Sequence, residues 1–176
     1  MTFRDHPTSM QDLAFPRGRQ AQGDTGAIPA AAGPVHFFVP GKPQGKGRPR
    51  ATKRGKHIAL YTPEKTVSYE STIALVASQA MVGRTPIEGP VVASIFIALP
   101  IPASWSKKKQ AQAAADQLLP ITKPDSDNVV KAIFDAINGV VWGDDTQVVD
   151  HVARKRYRAR PGVSVTISPA AVQEVC

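Results

Sequence analysis

The run Val91–Leu99 is the most apolar stretch of the chain, and Pro100 and Pro102 close it at once. It is far shorter than the roughly 18 apolar residues a membrane span needs, so it reads as a buried strand. At 176 residues the chain suits one domain with enough mass to bury a core around such a strand. The N-terminus mixes Arg4, Arg17 and Arg19 with Asp5, Asp12 and Asp24 and lacks an apolar h-region. It reads neither as a signal peptide nor as a transit peptide. The lone cysteine, Cys176, excludes an internal disulfide framework and a cysteine-ligated zinc site. A soluble, cytoplasmic protein is expected.

Around that strand the pattern alternates between periods of two and of about four. Residues 1–33 are aperiodic and polar and read as a disordered N-terminal extension. Val35–Val39 is a β-branched and aromatic run stopped by Pro40-Gly41, hence a first strand. Residues 41–61 read as a Gly/Pro/Lys/Arg loop. Thr62-Pro63 supplies an N-cap and an N1 proline for a helix over roughly 63–82, with Tyr69, Ile73, Val76, Ala77 and Ala80 on one face. Ser104 or Ser106 caps a second helix through Lys107–Leu118. A third helix starts near Asp127, carries Val130, Ile133, Phe134 and Ile137 at helical spacing, and stops at Asn138-Gly139. Gln147–Arg158 looks like a strand. After the Pro161-Gly162 turn, Val163, Val165 and Ile167 alternate with Ser164, Thr166 and Ser168 as a half-buried strand. This mixture without a regular βαβ rhythm predicts an α+β fold, a small mixed sheet packed with helices in a single domain.

The net charge of +8 is laid out unevenly. Seven Lys/Arg residues and no acid lie between His36 and His57, and a second basic run spans Arg154–Arg160. Six of the eleven acids beyond residue 33 fall between Asp125 and Asp150. Basic segments around an acidic patch are the arrangement expected when the patch binds metal and the surround binds nucleic acid.

The acidic patch is built on Lys123-Pro-Asp-Ser-Asp-Asn128, Lys131 and Asp144-Asp145. In the extended conformation that Pro124 favours, positions i and i+2 point to one side, so Asp125 and Asp127 can converge on one cation. Each piece also has an ordinary reading. Asp127 suits a helix N-cap, Asp127–Lys131 is an i,i+4 pair worth a few tenths of a kcal/mol, and Gly143-Asp-Asp-Thr146 is a serviceable turn. Because the third helix ends at Gly139 and the chain must reverse, Asp144-Asp145 can return to the level of Asp125 and Asp127. Three convergent carboxylates suit Mg²⁺ or Mn²⁺, which polarise phosphate oxygens and activate water. Lys131 can hold the attacking water or offset transition-state charge.

Other motifs carry less. An EF-hand fails at its fifth position, Val129. Gly41–Lys46 misses the phosphate-loop spacing, with Gly47 where Ser or Thr belongs. His6, His36, His57 and His151 are scattered, a pattern that does not point to a histidine metal site. Lys46-Gly-Arg-Pro-Arg50 resembles the core of a minor-groove AT-hook. It keeps open a non-catalytic DNA-binding module and marks Lys46, Arg48 and Arg50 for phosphate contact, with Arg154 and Arg156 of the second basic run.

Lys-Pro-Asp-x-Asp-Asn128, Lys131, Asp135-Ala-Ile-Asn-Gly139 and Asp144-Asp145-x-Gln147-Val-Val149 together resemble the RusA family of phage and prophage Holliday junction resolvases. Gly41-Lys-Pro43, Gly45–Arg50, Tyr61–Lys65 and Ile101–Lys108 extend the resemblance over roughly residues 34–168, leaving 169–176 as a tail. It implies a homodimeric, Mg²⁺-dependent endonuclease of DNA recombination and repair, with Mn²⁺ as substitute. Such an enzyme cuts opposing strands of a four-way junction symmetrically, leaving 5′-phosphate and 3′-hydroxyl ends. Matched residue by residue, it implies Asp125, Asp127 and Asp145 as catalytic, metal-holding carboxylates and Lys131 as the catalytic lysine, with Asp144 a neighbour of lesser rank.

Overall fold

The computed structural model describes residues 33–48, 50–54, 57–61 and 63–171, with backbone alone for 50–54 and 57–61. The expected disorder of residues 1–33 and the end of the tail therefore lie, but for Gly33, outside the described residues. The apolar run forms β4 (Val91–Pro100), an interior strand of a four-stranded sheet ordered β1 (Val35–Pro40), β6 (Gly162–Pro169), β4 and β5 (Val148–Arg158). β1 and β4 run antiparallel to β6, and β4 runs parallel to β5, so the sheet is mixed. The parallel pair requires a long crossover. Residues 101–147 supply it and carry both α2 (Lys107–Ala114) and α3 (Ser126–Ile137).

Alternation decides which side is buried. Val35, Phe37 and Val39 of β1, Ala93, Ile95 and Ile97 of β4, and Val163, Val165 and Ile167 of β6 are buried. They share one core with Tyr69, Ile73 and Ala77 of α1 (Glu64–Ala80) and Val129, Ile133 and Ile137 of α3. Among the described residues no helix is long and apolar enough to cross a membrane. The α+β fold expected from the sequence is the one observed.

Four local expectations need correcting. Residues 41–61 are not all loop: β2 (Arg50–Arg54) and β3 (His57–Tyr61) pair antiparallel as a separate two-stranded sheet. α1 is entered from Pro63 at the N-cap position without a side-chain cap, while Thr62 lies outside the described residues. α2 stops at Ala114 rather than Leu118, because Asp116 takes φ of 59°, a left-handed conformation that breaks the helix. Arg158 holds that aspartate with bonds of 2.6 and 2.9 Å. α3 begins at Ser126, one residue before the expected cap, so Asp125 is the N-cap and Asp127 sits in the first turn. Asp125 and Asp127 are thus not two alternate positions of one extended segment.

Tyr69 closes the core beneath the loop after β1. Burial pushes its phenol up to about 12, and the nearby Gln44 backbone lowers it only in part. Among the described residues its Oη has no partner in hydrogen-bonding geometry. Since the folded-state value exceeds the unfolded value of about 10, the neutral phenol's contribution is intact below about pH 10 and fades as pH rises toward 12, by about 2–3 kcal/mol. Tyr69→Phe is expected to match the parent at pH 8 and to lose less stability by pH 11.5, as compared by thermal melts.

Candidate active site

The acidic residues occupy two turns built by different means. The first is the entry to α3. Lys155 of β5 reaches across it, its Nζ donating to the carbonyls of Thr122 at 3.0 Å and Pro124 at 3.2 Å. One lysine thereby fixes the segment leading into Asp125. The Asp125 carbonyl accepts from Val129 at 3.2 Å as the helix opens, but its side chain makes no capping bond. Asp127 is exposed in the first turn and Lys131 is exposed one turn on. Capping was the ordinary explanation for an aspartate here, and neither carboxylate does it. Both stand at the N-terminal, positive end of the helix dipole.

The second turn carries Asp144 and Asp145. Asp144 caps the short 3₁₀ turn Asp145–Gln147, accepting from Thr146 N at 2.9 Å. Thr146, through its hydroxyl and then its backbone amide, holds the Asp144 carboxyl below the usual carboxylate range. Gln147 completes a capping box: its Oε1 accepts from the Gly143 and Asp144 amides at 2.8 and 3.1 Å. Its Nε2 donates to the carbonyls of Ile87 and Gly89 at 3.0 and 2.8 Å, pinning the turn to the segment before β4. Asp144 is therefore structural, and Asp145 stands exposed beside it.

Among the described residues no three His, Cys, Asp or Glu side chains lie close enough together to hold a metal ion. The structure brings Asp125 and Asp127 to one helix start and Lys131 to its next turn, and it leaves Asp145 on the second turn. The donors nevertheless suit a hard cation. They are exposed carboxylates, and Mg²⁺ commonly takes only one or two of these, filling its shell with water and substrate phosphate.

The basic loop packs directly against the α3 entry. Lys46 N donates to Asn128 O at 2.9 Å. A Cβ on Gly45 would meet Asn128 Cβ at 2.9 Å, so only glycine permits this approach. The Lys46 ammonium bonds Asp135 of α3, and Glu70 Oε1 of α1 lies 3.4 Å from it, outside hydrogen-bonding geometry. The Asp135 bond raises the lysine's pKa against the effect of burial, with help from the charge of Glu70. Lys46, expected to contact phosphate, thus staples the loop to two helices. A cleft of about 340 Å³ between loop and helix is lined by Lys42, Lys46, Lys123, Asp125 and Asn128, among others.

The remaining expected DNA contacts are dispersed. Arg48 is exposed at the end of the loop, and the Arg50 side chain lies outside the described residues. On β5, Lys155 turns toward the α3 entry, so by strand alternation its neighbours Arg154 and Arg156 turn to the other face of the sheet. Arg154 is exposed, whereas Arg156 bonds the Lys155 carbonyl and sits 3.8 Å from Asp116.

Sequence reasoning missed the roles of Gln147, Lys155 and the Glu70–Lys46–Asp135 cluster. Gln147 was within reach, since Asp-x-x-Gln is the capping-box spacing. The other contacts join residues 24 or more apart in sequence and leave no local signal.

The Endodeoxyribonuclease RusA family model matches residues 40–168. The chain is also 41% identical over 135 residues to the uncharacterized protein YqaN of Bacillus subtilis (strain 168), covering 76% of this chain and 94% of that protein. The match takes in the loop, both acidic turns and the strands that hold them. The chain belongs to the RusA family of endodeoxyribonucleases.

Proposed function

We propose that the chain is a Mg²⁺-dependent, structure-selective endonuclease that resolves four-way DNA junctions. It acts as a homodimer, making paired symmetric nicks in opposing strands. The observation that carries this reading is the pair Asp125 and Asp127, neither one capping the helix it begins, beside a lysine-lined cleft in a chain of the RusA family. Asp125, Asp127 and Asp145 would hold the metal. When bound, it would supply charge for a phosphate oxygen and a water of lowered pKa.

The chain's own residues do the rest. Lys42 and Lys123 place a phosphodiester against the α3 entry. Lys131 orients the water or stabilises the charge developing on the phosphorane-like transition state. Lys155 and Gln147 keep the two acidic turns where they are. Water adds across the P–O3′ bond, the 3′ oxygen leaves as a hydroxyl, and the 5′ end keeps its phosphate.

Incubating the protein with a synthetic four-way junction and Mg²⁺ tests the reading. Symmetric nicks that a ligase can seal are expected, with Mn²⁺ able to replace Mg²⁺. Retained binding without cleavage would favour the non-catalytic DNA-binding module instead. Arg48→Ala is expected to weaken junction binding and to reduce the slope of log affinity against log salt by about one. An unchanged slope tells against phosphate contact at that position.

A further inference from the structure

A second cleft, of about 420 Å³, lies beside the first. Pro100 and Pro102, where β4 ends, form part of its lining, and Trp105 and Tyr157 supply its aromatic wall. Lys42 and Lys123 line both clefts, so the two adjoin at this pair of cations. The rings of Trp105 and Tyr157 meet edge to face, with centroids 5.2 Å apart at 72°. Tyr157 is buried, but Trp105 is only half-buried, unlike Trp142, which is sealed in the core. Lys109 Nζ stands 4.1 Å from the Trp105 ring centroid.

Among the described residues no acidic side chain lines this cleft, so its described lining does not repel an anionic strand. Its walls offer aromatic and proline faces, and its mouth offers two ammonium groups. Flat apolar walls beside fixed cations suit one ligand chemistry in particular, a planar base joined to a phosphate. The volume accommodates a nucleobase with its sugar, and the shared lysines set the attached phosphate beside Asp125.

We propose that this cleft receives an unstacked nucleobase of the DNA strand, adjacent to the phosphodiester held between Lys42 and Lys123. The assignment rests on the nuclease reading above and adds a positional rule to it. The cut falls at a fixed step from the base seated on Trp105, and a branch point supplies such a base at lower cost than a continuous stack.

Junctions carrying a base-free nucleotide at each position flanking the branch, one at a time, test this with the unaltered protein in metal-free buffer. Affinity is expected to fall about tenfold at one position per arm and to stay nearly constant at the others. Trp105→Ala should bind the intact junction about tenfold more weakly and show no further loss at that position, whereas Trp105→Phe keeps most of the discrimination. A uniform response at all positions overturns the assignment, as does a base-free penalty that survives in Trp105→Ala. If the unaltered protein binds the junction in this buffer and cuts it once Mg²⁺ is added, but no position matters, the base cleft alone is wrong. If it neither binds nor, with Mg²⁺ added, cuts the junction, the nuclease reading falls and takes the cleft with it.

Discussion

Asp127→Asn is expected to lower junction cleavage by at least about a hundredfold while junction binding holds or strengthens. The substitution keeps the shape of the side chain and removes one negative charge from a ligand set that would otherwise attract a divalent cation. It also removes a charge that opposes the phosphate backbone, which is why affinity does not fall. Nothing in the fold depends on that carboxylate: it is exposed in the first turn of α3, and the helix is entered at Asp125 without a side-chain cap. Asp144→Asn is the matched control. Asp144 serves as the cap of the 3₁₀ turn, and asparagine caps as well as aspartate does, so cleavage there should change little. Gel-based cleavage and binding, run side by side on the same junction, measure both. Normal cutting by Asp127→Asn would mean that the carboxylates at the α3 entry are not the site.

Trp142→Ala is expected to cost about 3–5 kcal/mol of stability, which is a large share of what holds a domain of this size together. Trp142 is fully buried, packs edge to face on Phe134 at 5.3 Å, and donates from Nε1 to Asn138 Oδ1 at 3.1 Å. Its carbonyl accepts from Gly139 N at 2.9 Å, and its backbone bridges to Ile87. The residue therefore ties the end of α3 to the segment before β4, immediately ahead of the turn that carries Asp145. Truncation leaves a cavity and removes the indole's hydrogen bond to Asn138 at one point. Trp142→Phe should recover most of the stability, and denaturant melts of the two variants separate packing from the hydrogen bond. A loss below about 1 kcal/mol for Trp142→Ala would mean that this connection does not depend on the indole.

The reading of the sequence succeeded where one periodicity ran long enough to count. β4, β6 and α3 were legible because an apolar run, a period-two alternation and an i, i+3, i+4, i+7 stripe each point to one structure. The β2–β3 hairpin was not. Lys, Arg and Gly crowd Arg50–Lys56 and hide the short run Ile58–Tyr61, and the two strands pair only with each other among the named sheets. The early stop of α2 depends on Asp116 accepting from Arg158, 42 residues away, which no local pattern encodes. At the site, the acidic cluster could be picked out as residue types at a spacing. The family resemblance already ranks Asp145 above Asp144, and the capping box closed by Gln147 supplies the physical reason, whereas Lys46 leaves the set of free cations only once Glu70 and Asp135 are seen around it. Long-range ion pairs reassign residues that composition treats as equivalent.

In the proposed function a divalent-metal site stands at the α3 entry with Asp145 reaching it from a second turn, although the described side chains hold no three-ligand group. A crystal structure with Mn²⁺, located by its anomalous signal, tests this most directly. A peak is expected against the carboxylates of Asp125, Asp127 and Asp145, with Asp144 still bonded to Thr146. Mn²⁺ bound elsewhere, or bound with none of these three carboxylates, would contradict it.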